Sequence, residues 1–143
     1  MKYLLDTCVI SESIRPKPDA AVIEWLASQN EGDFYLCALT LGELEKGVEK
    51  LRRGTKRGRL ELWIKELENR FGSRILPIDG DVAIRWGHLT ALLESKGKAL
   101  PVIDGLIASC AIGYGMVLVT RNVQDYFLSG VELFNPWDQK NMI

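Results

Sequence analysis

Short apolar runs separated by amphipathic segments organise this chain. Residues 3–5, 34–37 and 116–119 are apolar without the period of a helix, which is typical of buried strands. Between these runs, apolar residues recur every three or four positions, which predicts helices. Because strands and helices alternate, the pattern favours an α/β fold with a parallel sheet and right-handed crossovers.

The pattern predicts five strands, at residues 3–5, 34–37, 74–79, 116–120 and 131–134. Pro77 indicates that the third of these lies at an edge of the sheet, since proline cannot donate to a central ladder. The predicted helices cover residues 9–14, 20–28, a segment opening at Thr40, then 60–71, 82–93 and 103–113. The last of them is apolar or small on nearly every side, so we expect it to be central and buried.

Length and composition limit the kind of protein. At 143 residues, 47% hydrophobic, the chain fits a single domain over residues 1–143. A formal net charge of -1 excludes a globally basic nucleic-acid binder but allows a local basic patch. Cys8, Cys37 and Cys110 form no C-x-x-C pair and are predicted to be reduced thiols. With no leader and no long apolar run, we expect a cytoplasmic protein without membrane contact.

Several kinds of active site are absent from the sequence. One histidine and scattered cysteines argue against a Ser-His-Asp site and leave a zinc site short of ligands. The sequence contains neither G-x-x-x-x-G-K-[ST] nor G-x-G-x-x-G, so no glycine loop is available to cradle a phosphate. The remaining candidates for chemistry are acidic residues in unusual places.

Three acids occupy positions where a strand ends or a helix begins. Asp6 follows the first strand, Glu43 lies in the first turn after Thr40, and Asp104 opens the apolar helix. Each could have only a structural role, Asp6 and Asp104 as helix caps and Glu43 in a Thr-x-x-Glu capping box. Alternatively, the carboxyl end of a parallel sheet is where ligands bind, and the three carboxylates could converge there.

A convergent cluster of acids would have to take up protons or bind a cation. Two like charges about 4 Å apart repel by about 4 kcal/mol at an effective dielectric constant of about 20. Oxygen ligands alone point to Mg²⁺, or Mn²⁺ in its place. If Asp6, Glu43 and Asp104 converge, the pattern therefore allows a metal site there, with proton uptake as the alternative.

The ordered motifs of the chain resemble those of a known family. They lie at Leu5–Glu12, Thr40–Leu44, Ile103–Ala108, Val119–Asn122 and Phe134–Trp137. In the same order they resemble L-D-T-N-V-I-S-E, S/T-x-x-E-L, D-x-x-I-A, V-T-R-N/D and a closing F-N-P-W. This set is similar to PIN-domain ribonucleases of the VapC toxin kind, closest to the FitB-like group. The resemblance implies a PIN-like three-layer sandwich with a short central parallel sheet flanked by helices.

The resemblance also implies an activity and roles for the acids. It implies a Mg²⁺-dependent endoribonuclease in which Asp6 and Asp104 hold the metal and Glu43 orients or deprotonates the attacking water. Two positions depart from the family pattern: Cys8 replaces an asparagine, and Asn122 stands where many members have a fourth acid. Asn122 is expected to add a neutral ligand or a hydrogen bond, which leaves open whether one or two metal ions bind.

The partners implied by the resemblance are an RNA substrate, a small DNA-binding antitoxin and a second copy of the chain. One alternative is a non-catalytic PIN-fold module that binds RNA or protein, and Asn122 keeps that alternative open. A phospho-acceptor receiver domain also uses acids at strand ends, but here Thr7 follows Asp6 and Arg121 follows the late strand. Those residues do not fit a receiver, which needs a second acid and a lysine.

A basic run extends from Lys50 to Arg59 and contains six cations and no acid. Runs of this kind are often no more than a solvated connection between helices. The alternative is that the run contacts the phosphate backbone of RNA, which attracts cations regardless of base sequence.

Overall fold

A computed structural model describes residues 1–138 and shows a five-stranded parallel sheet. The strands are β1 (Tyr3–Leu5), β2 (Phe34–Cys37), β3 (Ile75–Leu76), β4 (Val117–Val119) and β5 (Leu133–Phe134). Their order in the sheet is β3-β2-β1-β4-β5, and every neighbouring pair is parallel. The first strand of the chain is therefore the central one, and β3 lies at an edge as Pro77 predicts.

Seven helices connect the strands of the described part. They are α1 (Thr7–Glu12), α2 (Ala20–Ser28), α3 (Ala38–Glu49), α4 (Thr55–Phe71), α5 (Gly80–Ser95), α6 (Val102–Gly113) and α7 (Val123–Tyr126). Short 3₁₀ turns cover Glu31–Asp33, Gly72–Arg74 and Phe127–Ser129. Asp19 caps α2 through hydrogen bonds from the N–H groups of Ala21 and Val22.

Two hydrophobic clusters lie on opposite faces of the sheet because side chains alternate along each strand. On one face, Leu4 and Leu118 pack with residues of α5 and α6 such as Val82 and Ile107. On the other, Leu5 and Val119 pack with residues of α1 to α4 such as Val9, Trp25, Leu44 and Ile64. The result is a three-layer sandwich with a parallel sheet, as the pattern and the family resemblance lead us to expect.

Three local predictions need correction. The third helix begins at Ala38 with Cys37 at its N-cap, so Thr40 is buried inside the first turn instead of capping it. The fourth helix begins at Thr55, inside the basic run, since helical backbone extends upstream of its first apolar residue, Leu60. The helix α7 was not predicted, because four residues are too few to show a helical period.

The cysteines behave as the sequence predicts. All three are free thiols, and Cys37 and Cys110 are fully buried within one core cluster. In the part of the chain that the structure covers, none of the helices combines the length and the apolar character needed to span a bilayer.

Candidate active site

Asp6 is fixed at the carboxyl end of the central strand by hydrogen bonds from several elements. Its N–H donates to the Val119 carbonyl at 2.9 Å, which extends the β1–β4 ladder. Its Oδ1 accepts from the Thr7 N–H at 2.9 Å. Its Oδ2 accepts from the Thr120 hydroxyl at 2.8 Å and from the Tyr126 hydroxyl at 3.4 Å. Asp6 is only 6% exposed, so the fold holds an oriented acid here that forms no ion pair within residues 1–138.

The capping role of Asp6 and its place in an acidic site coexist. Asp6 is the N-cap of α1, and one carboxylate oxygen accepts the Thr7 N–H. The other oxygen faces Thr120 and Tyr126, on the opposite side of the cap. Helix capping therefore accounts for the position of Oδ1. The hydroxyl groups of Thr120, which follows β4, and of Tyr126, in α7, orient Oδ2.

Glu43 reaches the same region through Thr7. The Thr7 hydroxyl donates to Glu43 Oε1 at 2.9 Å, so the capping box predicted between Thr40 and Glu43 is wrong. Burial raises the pKa of Glu43, the Thr7 hydrogen bond opposes that rise, and the charges of Asp6 and Asp104 add to it. Glu43 is thus a half-buried carboxyl group in the field of the other two predicted acids.

Asp104 lies in the first turn of α6 and completes the predicted set. The backbone of α6 approaches α5 closely because Gly105 has no side chain. A Cβ added at this position would lie only 3.1 Å from the Trp86 ring. Burial raises the pKa of Asp104, and the carboxylates of Asp125 and Asp6 raise it further. The structure therefore places Asp6, Glu43 and Asp104 within one another's electrostatic influence, and their roles as site residues stay a prediction.

Asp125 and Tyr126 are site residues that the sequence analysis missed. Among the charges acting on Asp104, Asp125 raises its pKa most. Burial and the carboxylates of Asp6, Asp104 and Glu43 raise the pKa of Tyr126 far above its ordinary value, so this phenol stays a neutral donor. The sequence contains no clear signal for either residue, because only the short helix α7, which its pattern does not predict, brings Asp125 toward Asp104.

Asn122 contributes through its backbone in this structure. Its N–H donates to Thr120 Oγ1 at 3.0 Å, and it begins α7 without a capping hydrogen bond from its own side chain. Thr120 therefore links the loop to Asp6, since the same hydroxyl donates to the carboxylate. The role of the Asn122 amide as a ligand stays a prediction, and Asp125 supplies a fourth carboxylate near Asp104.

Cys8, which replaces the family's asparagine, borders the acids. Its sulfur lies 3.9 Å from Asp6 Oδ2 and 3.7 Å from Thr120 Oγ1, and it accepts the Arg121 N–H at 3.5 Å. Burial is the main cause that raises the pKa of the Cys8 thiol. A neutral thiol here makes weaker contacts than the amide of an asparagine would.

The donor set suits a hydrated divalent ion. Within residues 1–138, no three His, Cys, Asp or Glu side chains are grouped closely enough to hold an ion together. A structural zinc site needs four such close ligands. Mg²⁺, in contrast, keeps several water molecules and binds through one or two carboxylates. Asp6 and Asp104 fit that pattern, with Glu43 and Asp125 able to act through water.

The basic run is partly neutralised by the chain itself. Arg57 pairs with Glu49 at 2.9 Å and with Glu61 at 2.8 Å, and it donates to the Leu51 carbonyl at 3.1 Å. These bonds join the end of α3 to the start of α4. Arg57 therefore connects the two helices, as expected if the run is a connection between helices. Arg52, Arg53 and Lys56, in contrast, are exposed.

Comparison with known proteins agrees with the fold. The family model described as PIN domain matches residues 3–126. Toxin FitB of Neisseria gonorrhoeae is 40% identical over 138 residues, covering 94% of this chain and 97% of that protein. VapC ribonuclease Y4jK of Sinorhizobium fredii is 34% identical, again covering 94% and 97%.

A solved structure of FitAB bound to the IR36 DNA fragment contains a chain that superposes with a TM-score of 0.88 at 38% identity. The match covers 94% of this chain and 95% of that chain. The residues matched by the family model include the elements that carry Asp6, Glu43 and Asp104. The chain belongs to the PIN-domain family, as a relative of the toxin FitB and the VapC ribonucleases.

Proposed function

We propose that this chain is a Mg²⁺-dependent endoribonuclease that cleaves RNA phosphodiester bonds as the toxin of a toxin–antitoxin pair. PIN-domain ribonucleases in general depend on a divalent metal. The observation that carries the proposal is the oriented, cation-free carboxylate of Asp6, which shares its surroundings with Glu43 and Asp104. Relatives named as a toxin and as a VapC ribonuclease support it. We further propose that residues 1–143 form one cytoplasmic domain.

Asp6 and Asp104 would hold the ion, directly or through water. A bound divalent cation supplies positive charge for the phosphate and favours deprotonation of water. Thr120 and Tyr126 keep Asp6 in place by donating to its Oδ2, so the carboxylate does not reorient when RNA arrives. Asp125 adds negative charge beside Asp104 and thereby strengthens attraction for a cation.

Glu43 is the residue that we assign to the attacking water. Its raised pKa brings it closer to neutral pH, where a carboxylate accepts a proton most effectively. Thr7 donates to one of its oxygens and leaves the other available for water. Asn122 would add a hydrogen bond to the water structure around the ion.

The antitoxin partner would inhibit the enzyme by covering the acids. An arginine side chain offers a planar set of donors that matches carboxylates. Asp6, Glu43, Asp104 and Asp125 take part in no ion pair within residues 1–138. A DNA-binding partner whose tail places arginine there would neutralise the site, and a homodimer of the toxin would present two such sites.

The nuclease proposal is tested by incubating the protein with a panel of RNAs in Mg²⁺, in Mn²⁺ and in chelator. We expect cleavage with either ion, none in chelator, and strongly reduced cleavage by Asp104→Asn. Cleavage that persists in chelator would contradict the metal-dependent mechanism. RNA binding without cleavage under any ion would favour the non-catalytic module instead.

The partner proposal is tested separately. A small DNA-binding protein should copurify with the toxin when the neighbouring reading frames are expressed together, and its isolated tail should inhibit cleavage. The control is the same tail with its arginine replaced by glutamine, which we expect to inhibit at least tenfold more weakly. Equal inhibition by both tails would exclude an arginine contact.

A further inference from the structure

Arg121 is a positioned cation beside the acidic site. It directly follows Thr120, whose hydroxyl donates to Asp6, and its own N–H points to the sulfur of Cys8 at 3.5 Å. Its guanidinium lies over the Trp137 ring, 5.3 Å from the centroid. Within residues 1–138 that guanidinium donates no hydrogen bond and joins no ion pair. Its donors are therefore oriented but unoccupied.

Trp137 is itself held in register with the end of β4. The Phe134 carbonyl accepts the Thr120 N–H at 3.0 Å, which ties β5 to the strand end that carries Arg121. The Asn135 side chain then accepts the Trp137 N–H at 2.9 Å and closes a tight turn. Trp137 packs partly buried against the hydrophobic cluster that includes Leu5. The Asn-Pro-Trp segment thus builds a platform for one guanidinium.

Comparison with Arg74 shows what is unusual here. The Arg74 guanidinium also stacks on a ring, 4.8 Å from the Phe71 centroid. Its donors, however, bind the carbonyls of Glu31, Phe34 and Arg70, so its role is to fasten local structure. Arg121 has the same stacking without those bonds. Stacking fixes the plane of the group, and its N–H edges remain available for an external acceptor.

We propose that Arg121 is a phosphate-binding residue that holds the RNA strand beside the acidic site, and that Trp137 is its positioning residue. This inference rests on the proposed function. Four carboxylates repel a polyanion, so a cation next to them has a clear electrostatic use. Arginine matches the geometry of phosphate with paired donors. A guanidinium already ordered by Trp137 loses less side-chain freedom when RNA binds.

The first test measures RNA affinity against salt concentration with an Asp104→Asn protein, which keeps the RNA intact. In that background, Arg121→Gln should weaken binding on the order of tenfold. The slope of log affinity against log salt should become shallower by about 0.7, the value for one lost phosphate contact on a single strand. Arg121→Lys should keep the slope and recover only part of the affinity. The matched control is Arg85→Gln. Arg85 belongs to α5 and lies beside Gly113 at the end of α6 opposite Asp104, so its loss should change neither the RNA affinity nor the salt slope.

The second test concerns Trp137 in the active enzyme. Trp137→Leu should raise KM several-fold with little change in kcat, because it frees the guanidinium without touching the acids. Trp137→Phe should restore most of the KM, since a phenyl ring still offers a face to the cation. Thermal melting monitors folding, and Arg121→Gln, an exposed substitution, keeps the test decisive if Trp137→Leu does not fold.

The outcomes separate this inference from the proposed function. Wild-type protein that neither binds nor cleaves RNA would overturn both. Wild-type protein that cleaves RNA while Arg121→Gln keeps the same affinity, salt slope and KM would overturn the inference alone. Loss of binding to the inhibitory partner tail, with RNA affinity unchanged, would assign Arg121 to the partner and would also overturn it.

Discussion

The acidic site and the basic run are both clusters of like charge, but the chain treats them in opposite ways. Asp6, Glu43, Asp104 and Asp125 come from several elements of the fold, and no cation is paired to them in residues 1–138. Asp6 and Glu43 accept hydrogen bonds from hydroxyl and amide donors instead. The basic residues are contiguous, and Arg57 is paired with two glutamates of neighbouring helical turns. Acids that the fold brings together without pairing them indicate an external cationic partner. A run of cations in the sequence, in contrast, can be neutralised by nearby glutamates.

Among variants that change the charge of either region, we expect the largest effect from Asp104→Asn, which removes one carboxylate of the acidic site. RNA cleavage should fall on the order of 100-fold or more, because the site loses a carboxylate for the cation. Without metal, the protein at pH 7 should melt at the same temperature or slightly higher. The raised pKa of Asp104 means that folding disfavours its charged form, so this carboxylate lowers stability as pH rises through the folded pKa.

That stability difference should disappear in acid. Below the ordinary aspartate pKa of 3.8, Asp104 is neutral in both the folded and unfolded protein, and the wild type and Asp104→Asn should unfold alike. Melting curves of both proteins from pH 3 to pH 8 in chelator provide the measurement. Full nuclease activity of the mutant would remove Asp104 from the site.

A smaller effect should distinguish Asp125 from Asn122. Asp125→Asn should weaken Mn²⁺ binding about tenfold, the lower end of the range for residues that support metal ligands. Asn122→Asp should tighten binding by a few-fold and lower the Mg²⁺ concentration needed for cleavage, because it adds a carboxylate. Calorimetric titration of the two variants checks both expectations. An Asn122→Asp protein with unchanged affinity and stoichiometry would exclude this amide from the site.

The smallest effect should come from the basic run, and the structure divides it in two. Replacing Arg52, Arg53 and Lys56 together by glutamine should weaken RNA binding only at low salt, with the salt slope shallower by up to about 2. Arg57→Gln should leave RNA affinity unchanged but lower the melting temperature, since Arg57 joins α3 to α4. If the triple variant binds RNA normally at every salt concentration, the run is only a connection.

The sequence could predict what depends on local pattern. Asp6 at a strand end and Asp104 at the start of an apolar helix follow from periodicity and from the placement of ligands in parallel sheets. The Thr7–Glu43 and Tyr126–Asp6 hydrogen bonds join residues 36 and 120 positions apart, and no periodicity encodes such pairs. The start of α3 was misplaced for a related reason: Cys37 is a poor side-chain cap, and the strand–helix junction is determined by burial.

Arg57 and Asp125 show the same limit at the level of charge. A count of cations from Lys50 to Arg59 cannot reveal that glutamates outside that run neutralise Arg57. Asp125 follows a strand end by several residues, and only the short helix α7 brings its carboxylate toward Asp104. In both cases the residue was visible in the sequence, but its partner was decided by tertiary structure.

The position of β1 at the centre of the sheet has a consequence for the synthesis of the protein. β1 leaves the ribosome before its partner β4, and Asp6 acquires its hydroxyl partners only when Thr120 and Tyr126 are present. Because translation proceeds from the N-terminus at about 5–20 residues per second, the site stays unassembled until β4 and α7 have been made. We therefore expect a nascent chain to leave its own messenger RNA intact, which gives an inhibitory partner time to accumulate before an active enzyme exists.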